Sequence, residues 1–315
     1  MKGIGIKEYG GVEKLEEIIL PTPSLEPDDV LIEVKAAGVN PVDWKIREGK
    51  LQKAIPYNLP LILGWDVSGI IKQVGSNVTS FKIGDEVYSR PDINKQGSYT
   101  DEIVVKQDLV AYKPKNLTFA EAASIPLVGL TAWQALIDFA QLKEGHKLLI
   151  HAGAGGIGTM AIQIAKSIGA IVTTTTSEKN TEFVKSLGAD YIINYDKEDF
   201  TKILSNYDVV FDSLGGQTIL DSYRVLKESG KLVTIFGSPD MSLPDCELAK
   251  KKNILTNYVF TNPNGKQLDV LTQYIEANKI KPVIFQKLPL TVEGVITAHR
   301  MSETERVRGK LVLIR

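Results

Sequence analysis

The sequence predicts an α/β protein in two parts: a β-rich barrel-like domain formed by both chain ends, and an inserted doubly wound domain with a six-stranded parallel sheet. Three observations carry this. Short β runs punctuated by Gly, Pro and Asn fill roughly the first 120 residues. Strand-like and helix-like segments then alternate to about residue 262, the signature of a parallel sheet wrapped by helices. Within that region, the apolar run Leu148, Leu149, Ile150 breaks into Gly153-x-Gly155-x-x-Gly158 and resumes with Ile157, Ala161, Ile164, Ala165 and Ile168 on one helical stripe.

In the first part, strands are expected at 30–36, 67–75, 86–88 and 102–105, with a turn at Gly84-Asp85. Residues 119–124 and 131–136 read as helical. The inserted domain offers six strands, at 147–152, 171–176, 191–194, 208–212, 231–236 and 255–260, which is the full doubly wound complement. Helices are expected at 157–168, 179–187 and 216–228. Residues 265–278 read as one helix, followed by a strand-rich tail ending at 310–314 that is similar in character to the first segment. The domains are therefore placed at 1–121 with 263–315, and at 122–262.

Composition narrows the function. Lys plus Arg total 37 and Asp plus Glu 38, which argues against an extended nucleic-acid surface. The single cysteine, Cys246, allows neither an intramolecular disulfide nor a cysteine metal cluster. The segment Met1–Tyr9 lacks the apolar core of a signal peptide, and no stretch reaches membrane-spanning length, so a cytoplasmic protein is expected.

Strand, glycine turn and amphipathic helix together form the arrangement that cradles a dinucleotide pyrophosphate. Glycines let backbone amides approach the phosphates, and the helix N-terminus adds unpaired N–H groups and a favourable dipole. A structural strand-to-helix turn is the bland alternative. An acid at the end of the second strand would select NAD. Here that end reads Thr175-Thr176-Ser177-Glu178-Lys179: Ser177 can donate a hydrogen bond and Lys179 supplies a point charge, which suits the 2′-phosphate of NADP. Glu178 is a ribose ligand if the register shifts, or simply the solvated start of the next helix.

Several stretches together resemble the zinc-free quinone oxidoreductase branch of the medium-chain dehydrogenase/reductase superfamily. They are Ala36 to Lys45 (AAGVNPVDWK), Gly64 to Gly69 (GWDVSG), Val74-Gly75 to Val87, Gly129 to Trp133, Gly153 to Lys166, Asp212 to Gly216 and Arg308-Gly309-Lys310, in the family's order over nearly the whole chain. The Asn-Pro-Val-Asp-Trp-Lys wording is most similar to enone and alkenal oxidoreductases. The resemblance implies a GroES-like barrel with an inserted Rossmann domain, an active site between them, and a homodimer or tetramer. Zinc-dependent relatives hold their metal with a Cys after the first barrel strand and a His-Glu in the next motif. Here those places are Asn40 and Trp65-Asp66, and His146, His151 and His299 are scattered, so no metal is expected.

The resemblance also implies roles. Asn40 stands beside nicotinamide and substrate, with a turn-capping Asn as the alternative. Lys45 is a candidate for contact with cofactor or substrate oxygen, with a surface lysine as the alternative. These two are the candidate catalytic residues; Asp43 reads rather as a helix cap. Trp44, Tyr57 and Trp65 could line an acceptor slot or pack in the core. Thr131, opening a helix, faces the nicotinamide end. Gly153, Gly155, Gly156, Ile157 and Gly158 serve the pyrophosphate; Thr176, Ser177 and Lys179 take the 2′-phosphate, with Tyr195 near it. Leu214, Gly215, Phe236, Gly237 and Ser238 lie at the carboxyl ends of strands four and five, where open α/β sheets bind ligands. Val259 and Phe260 end strand six, and Lys310 with Arg308 reaches the cofactor or the active site from the tail, a solvated turn being the alternative.

Without a Lewis acid, oxidising an alcohol is difficult, whereas a quinone or an alkene conjugated to a carbonyl already accepts hydride. The expected function is NADPH-dependent, zinc-independent hydride transfer to quinones or α,β-unsaturated carbonyls. A 2-enoyl-thioester reductase is an alternative, disfavoured by Pro41 and Val42 where such relatives carry a tyrosine. A nucleotide-binding protein without turnover is another. The expected partner is a small molecule, with no nucleic acid and no membrane span.

Overall fold

The structure is a computed structural model that describes residues 1–236 and 244–315, the side chains of 244–246 excepted. Along the first segment run β1 (Lys2–Ile6), β2 (Glu16–Ile19), β3 (Asp29–Val39), helix α1 (Pro41–Arg47), β4 (Leu61–Ile62), β5 (Val67–Val74), β6 (Glu86–Ser89), β7 (Glu102–Lys106), β8 (Val110–Tyr112) and the helices α2 (Phe119–Ala123) and α3 (Pro126–Trp133). Then come β9 (Lys147–Ile150), α4 (Gly156–Ile168), β10 (Ile171–Thr176), α5 (Thr181–Ser186), β11 (Tyr191–Asn194), α6 (Phe200–Ile203), β12 (Tyr207–Asp212), α7 (Gln217–Val225), β13 (Leu226–Thr234), α8 (Pro244–Lys251) and β14 (Leu255–Tyr258). The chain closes with α9 (Gly265–Glu276), β15 (Ile284–Pro289), α10 (Val292–Glu303) and β16 (Lys310–Ile314).

Two units result. One comprises Met1–Leu130, Pro263–Asn278 and Pro282–Arg315; the other comprises Thr131–Asn262 with Lys279–Lys281. The first boundary falls after residue 130 rather than 121, because α2 lies against β3 and β5 and so belongs with the barrel. Residues 279–281 join the second unit through Gln163, whose carboxamide donates to the Lys281 carbonyl (3.0 Å) and accepts from its N–H (2.8 Å).

In the first unit, seven strands form a sheet ordered β15-β16-β3-β5-β6-β8, with β7 also on β3. β3 is buried on both faces along most of its length, as expected of a central strand with neighbours on every side. A smaller sheet, β2-β1-β4, covers a core built around Trp65, Tyr99, Ile6 and Ile62. β16 pairs antiparallel with β3, so the tail does return to the first segment.

The second unit is a parallel sheet ordered β11-β10-β9-β12-β13-β14. Counted from β9 as the first strand, this is the 3-2-1-4-5-6 order of a doubly wound nucleotide fold. Helix α4 buries Ala161, Ile164 and Ala165 from the anticipated stripe and ends on Gly169, whose φ of 88° is the left-handed cap that glycine adopts without strain.

The structure corrects four expectations. Helix α3 starts at Pro126, not near Thr131, because Pro fixes the first helical φ and the Asp66 carboxylate accepts the Leu127 N–H at 2.7 Å. β13 begins at Leu226, inside the expected 216–228 helix: Leu226 pairs with Tyr207 before an irregularity that includes Ser229 at φ 56°. The tail contains α10 as well as strands, capped by Thr291 Oγ1 accepting from Gly294 N and burying Val295, Ala298, His299 and Ser302 on one face. Helices α6 and α8 were unanticipated.

Each unit buries one histidine as a neutral ring. His151 lies between the hydroxyls of Thr175 (3.2 Å) and Ser222 (3.0 Å), and His299 has Nδ1 3.2 Å from the Arg47 guanidinium. Burial lowers both to about 3, with Arg47 adding to the effect at His299. The unfolded chain takes up these protons near its ordinary value of about 6.5, so this stability is whole above that pH and is lost as pH falls toward 3. Between about pH 7 and pH 4, the denaturant midpoint of the wild type is therefore expected to fall more steeply than that of His151→Gln or His299→Gln. Parallel slopes would show that other groups govern the acid limb.

Candidate functional site

Helix α4 presents its N-terminus to the glycine turn, and the three glycines there do different work. A Cβ on Gly153 would meet Thr174 Oγ1 at 2.0 Å, and one on Gly158 would meet the Ala152 carbonyl at 2.5 Å. Those two positions let the turn close on β10 and on the helix. At Gly155 a Cβ would meet only the Ala152 carbonyl, at 3.4 Å, so nothing in the chain itself excludes a side chain there. Gly155 is also the N-cap of α4 and offers no capping side chain, so the amides of Gly156, Ile157 and Gly158 begin the helix without a side-chain acceptor. Open space beside orphan N–H groups at a positive helix end fits a pyrophosphate.

Beyond β10, Thr176 and Ser177 are buried at the strand end and Lys179 is exposed on the following helical turn. Tyr195 N donates to the Thr176 carbonyl at 3.2 Å, which brings that tyrosine beside the strand end, its side chain half exposed. Glu178 forms a surface ion pair with Lys197 at 2.9 Å. Lys197 escaped the sequence reading: it follows the next strand, and only the sheet order reveals it as a neighbour. Its pairing draws Glu178 into a salt bridge at the protein surface.

At the carboxyl ends of β12 to β14, Gly215 donates from its N–H to Asp212 Oδ2 at 2.8 Å, and a Cβ there would strike Phe236 Cβ at 2.8 Å. Asp212 is buried, which raises its pKa, and also accepts from Thr234. Leu214, Phe236 and Phe260 keep large exposed apolar surfaces, and Val259 is buried. Thr131 and Thr261 share a hydroxyl–hydroxyl hydrogen bond, so Thr131 sits beside the β14 end from within α3 rather than at its start. Gly237 and Ser238 lie outside the described residues.

In the barrel unit, Asn40 is buried at the N-cap of α1. Its Nδ2 donates to Asp66 Oδ2 at 2.9 Å and its Oδ1 accepts from the Lys310 ammonium. Lys310, 5 % exposed, also donates to the Val39 carbonyl at 2.8 Å and lies 3.4 Å from Asp66 Oδ2. An ammonium has three N–H groups, and all three are engaged within this unit. Lys310 is therefore not part of a solvated turn: within this unit it holds Asn40 and Asp66. Arg308 is exposed. Where zinc-dependent relatives place metal ligands, this chain places a lysine cation against an amide and a carboxylate, and no group of three or more His, Cys, Asp or Glu side chains converges among the described residues.

Asp43 is fully buried, caps α1 by accepting from Asn40 N (2.8 Å), and accepts from Tyr99 Oη (2.7 Å). Burial raises its pKa to about 7. Lys45, on α1, is partly buried, which lowers its pKa, and its Nζ lies 5.5 Å from the Trp44 ring centre. Trp44 and Trp65 are buried, and Tyr57 lies 6.0 Å from Trp65 between ring centres.

The glycine geometry separates binding from folding. Gly155→Ala is expected to weaken NADPH binding at least tenfold, by fluorescence titration, at unchanged Tm, whereas Gly153→Ala lowers Tm; a Gly155→Ala protein that binds like the wild type would empty the cradle of meaning.

Comparison with known proteins agrees with this geometry. Residues 26–125 match the family described as alcohol dehydrogenase GroES-like domain, and residues 187–313 the family described as zinc-binding dehydrogenase. The chain is 39 % identical to 2-methylene-furan-3-one reductase of Solanum lycopersicum over 99 % of its own length and 79 % of the relative's. It is equally similar, with the same coverage, to NADPH-dependent alkenal/one oxidoreductase, chloroplastic, of Arabidopsis thaliana. The quinone oxidoreductase structure from Coxiella burnetii superposes with a TM-score of 0.89 at 37 % identity, covering 100 % of this chain and 99 % of that one. By sequence along its whole length and by fold, the chain belongs to the medium-chain dehydrogenase/reductase superfamily, among its quinone and enone oxidoreductases.

Proposed function

We propose that this protein reduces quinones or α,β-unsaturated carbonyls with NADPH. The observation that carries the reading is the room at Gly155, where an added Cβ would meet only the Ala152 carbonyl at 3.4 Å, beside the uncapped start of α4, an arrangement that suits a pyrophosphate. Bound NADPH supplies the hydride. Ser177 and Lys179 hold its 2′-phosphate, with Thr176 and Tyr195 alongside; Thr131, Leu214, Gly215, Phe236, Val259 and Phe260 shape the rest of its groove. Asn40 contributes its remaining amide hydrogen near the reacting atoms, the other being held by Asp66. Lys45, with its ammonium form disfavoured by burial, stands as an oxygen contact on α1. The relatives' names, an enone-type reductase and an NADPH-dependent alkenal/one oxidoreductase, support this acceptor class.

Loss of NADPH absorbance with a panel of quinones and enones, in the presence of a chelator, tests the reading. Turnover that chelation abolishes and zinc restores would remove the metal-independent mechanism. Lys179→Ala is expected to raise KM for NADPH about tenfold or more while sparing KM for NADH, since it removes one charge-assisted contact to the phosphate. An equal effect on both nucleotides would take Lys179 out of that site.

We further infer a homodimer working in the cytoplasm. β14 forms an edge of its sheet and carries Leu255 (53 % exposed) and Tyr258 (40 % exposed), an edge that a second copy would cover. No described helix is long and apolar enough to cross a membrane. Sedimentation equilibrium should return twice the chain mass, and Leu255→Lys should shift it toward the monomer; a monomeric wild type would end the dimer reading.

A further inference from the structure

Behind the glycine turn lies a chain of buried side chains that ends on the turn's own backbone. His151, just past β9, continues the sheet, its N–H donating to the Phe211 carbonyl at 3.0 Å. Its ring is 1 % exposed and reaches two hydroxyls: Nδ1 is 3.2 Å from Thr175 Oγ1 on β10, and Nε2 is 3.0 Å from Ser222 Oγ on α7. A hydroxyl has one hydrogen to donate. Ser222 spends its hydrogen on the Thr218 carbonyl at 2.7 Å, so toward the imidazole it accepts, and His151 carries its proton on Nε2. The neutral ring then leaves Nδ1 as an acceptor. Thr175 Oγ1 donates to it and in turn accepts the Ala152 N–H at 3.2 Å. The chain runs one way, from the Ala152 N–H through Thr175, His151 and Ser222 to the Thr218 carbonyl.

Ala152 is where this chain acts. Its φ of 56° is a conformation that a residue with a Cβ resists and glycine does not. Its carbonyl accepts the Gly155 N–H at 3.0 Å and would lie 2.5 Å from a Cβ on Gly158, so it sits directly under the start of α4. Rotating Ala152 out of the left-handed region would carry that carbonyl away from Gly155 and undo the turn that places Gly155 as the helix cap. Strain of this kind persists only where the surroundings over-determine the backbone, and it clusters at ligand sites. Here the over-determination comes from the Thr175 hydroxyl on Ala152 N and the Thr175 carbonyl on Gly153 N, at 3.2 and 3.1 Å.

We propose that Thr175 and His151 are positioning residues for NADPH: they hold Ala152 left-handed, and with it the Gly155 cap whose neighbouring amides receive the pyrophosphate. This rests on the reading of that turn as the dinucleotide cradle. All of the residues involved belong to the parallel-sheet unit, so the effect is read in nucleotide binding and needs no acceptor.

The test is fluorescence titration of NADPH onto the full chain. Thr175→Val leaves the Ala152 N–H without its acceptor and is expected to weaken binding about tenfold, whereas Thr175→Ser, which keeps the hydroxyl, stays within about twofold of the wild type. Ala152→Gly separates holding the turn from stabilising the fold at large. Glycine visits the left-handed region unaided, so in the Ala152→Gly background Thr175→Val should cost about threefold or less. His151→Leu removes the acceptor of the Thr175 hydrogen. It should weaken binding as Thr175→Val does, and the two together no further, because they act through one chain. Imidazole-nitrogen NMR of the cofactor-free protein should find His151 protonated on Nε2 alone. An equal Thr175→Val penalty in the wild-type and Ala152→Gly backgrounds would overturn the proposal, and so would a neutral His151 with its proton on Nδ1. A wild type that binds NADPH yet reduces no quinone or enone would remove the proposed activity and leave the positioning standing. A wild type that binds no NADPH would overturn both.

Discussion

The buried contact of Lys310 with Asp66 and Asn40 is the constraint on which the barrel unit depends. Removing two charges from water is expensive, and a buried ion pair recovers that cost only when every donor and acceptor is matched. Here the matching is nearly complete: three acceptors on the ammonium, and Asp66 accepting from Leu127, Asn40 and Lys310. The same contact ties β16, β3, the start of β5, α1 and the first turn of α3 at one place. It also fixes which way Asn40 points. Flipping its carboxamide would set N–H groups against the ammonium and an oxygen against the carboxylate, so the flipped state is doubly repelled.

The nucleotide unit achieves its shape by different means, with almost no buried charge in the glycine turn. Its geometry comes from what is missing: a side chain at Gly153 whose absence admits Thr174, one at Gly158 whose absence lets backbone approach backbone, and one at Gly155 whose absence leaves room. The surrounding strand ends are tied by hydroxyls, with Thr174 donating to the Ile150 carbonyl and Thr175 accepting from Ala152 N. This explains the run of threonines in β10. Each β-branched side chain suits a strand, and the Thr174 and Thr175 oxygens bond the adjoining segment while Thr173 bonds Tyr207. Ala152, held at φ 56°, is the one non-glycine residue in the turn that adopts a left-handed backbone.

Much of this was legible in the sequence because it is local. The alternation of strands and helices, the α4 stripe and the glycine spacing all act over a few residues, and the six parallel strands follow from them. What escaped detection acts at a distance. The α3 start depends on a carboxylate 61 residues earlier, and Lys310 finds Asn40 across 270 residues. A lysine in a tail reads as solvated unless the sheet order is known. Lys197 was missed for a related reason: it gains meaning only when the pairing of β10 with β11 brings it to Glu178. Helix α10 is a different miss, since its buried positions 295, 298, 299 and 302 do follow a helical period among exposed polar neighbours.

The long separation between Asp66 and its ammonium also shapes how the chain is made. Lys310 is synthesised 244 residues after Asp66, which at typical elongation rates is a wait of roughly 12 to 50 seconds. During that interval residues 131–262 are already complete and can form their sheet. The nascent barrel, by contrast, holds a carboxylate without its cation and a central strand, β3, with one flank bare. A ribosome-bound chain would therefore carry a finished parallel-sheet unit beside an unfinished barrel, and factors that shield nascent chains would find their target in the older, N-terminal residues.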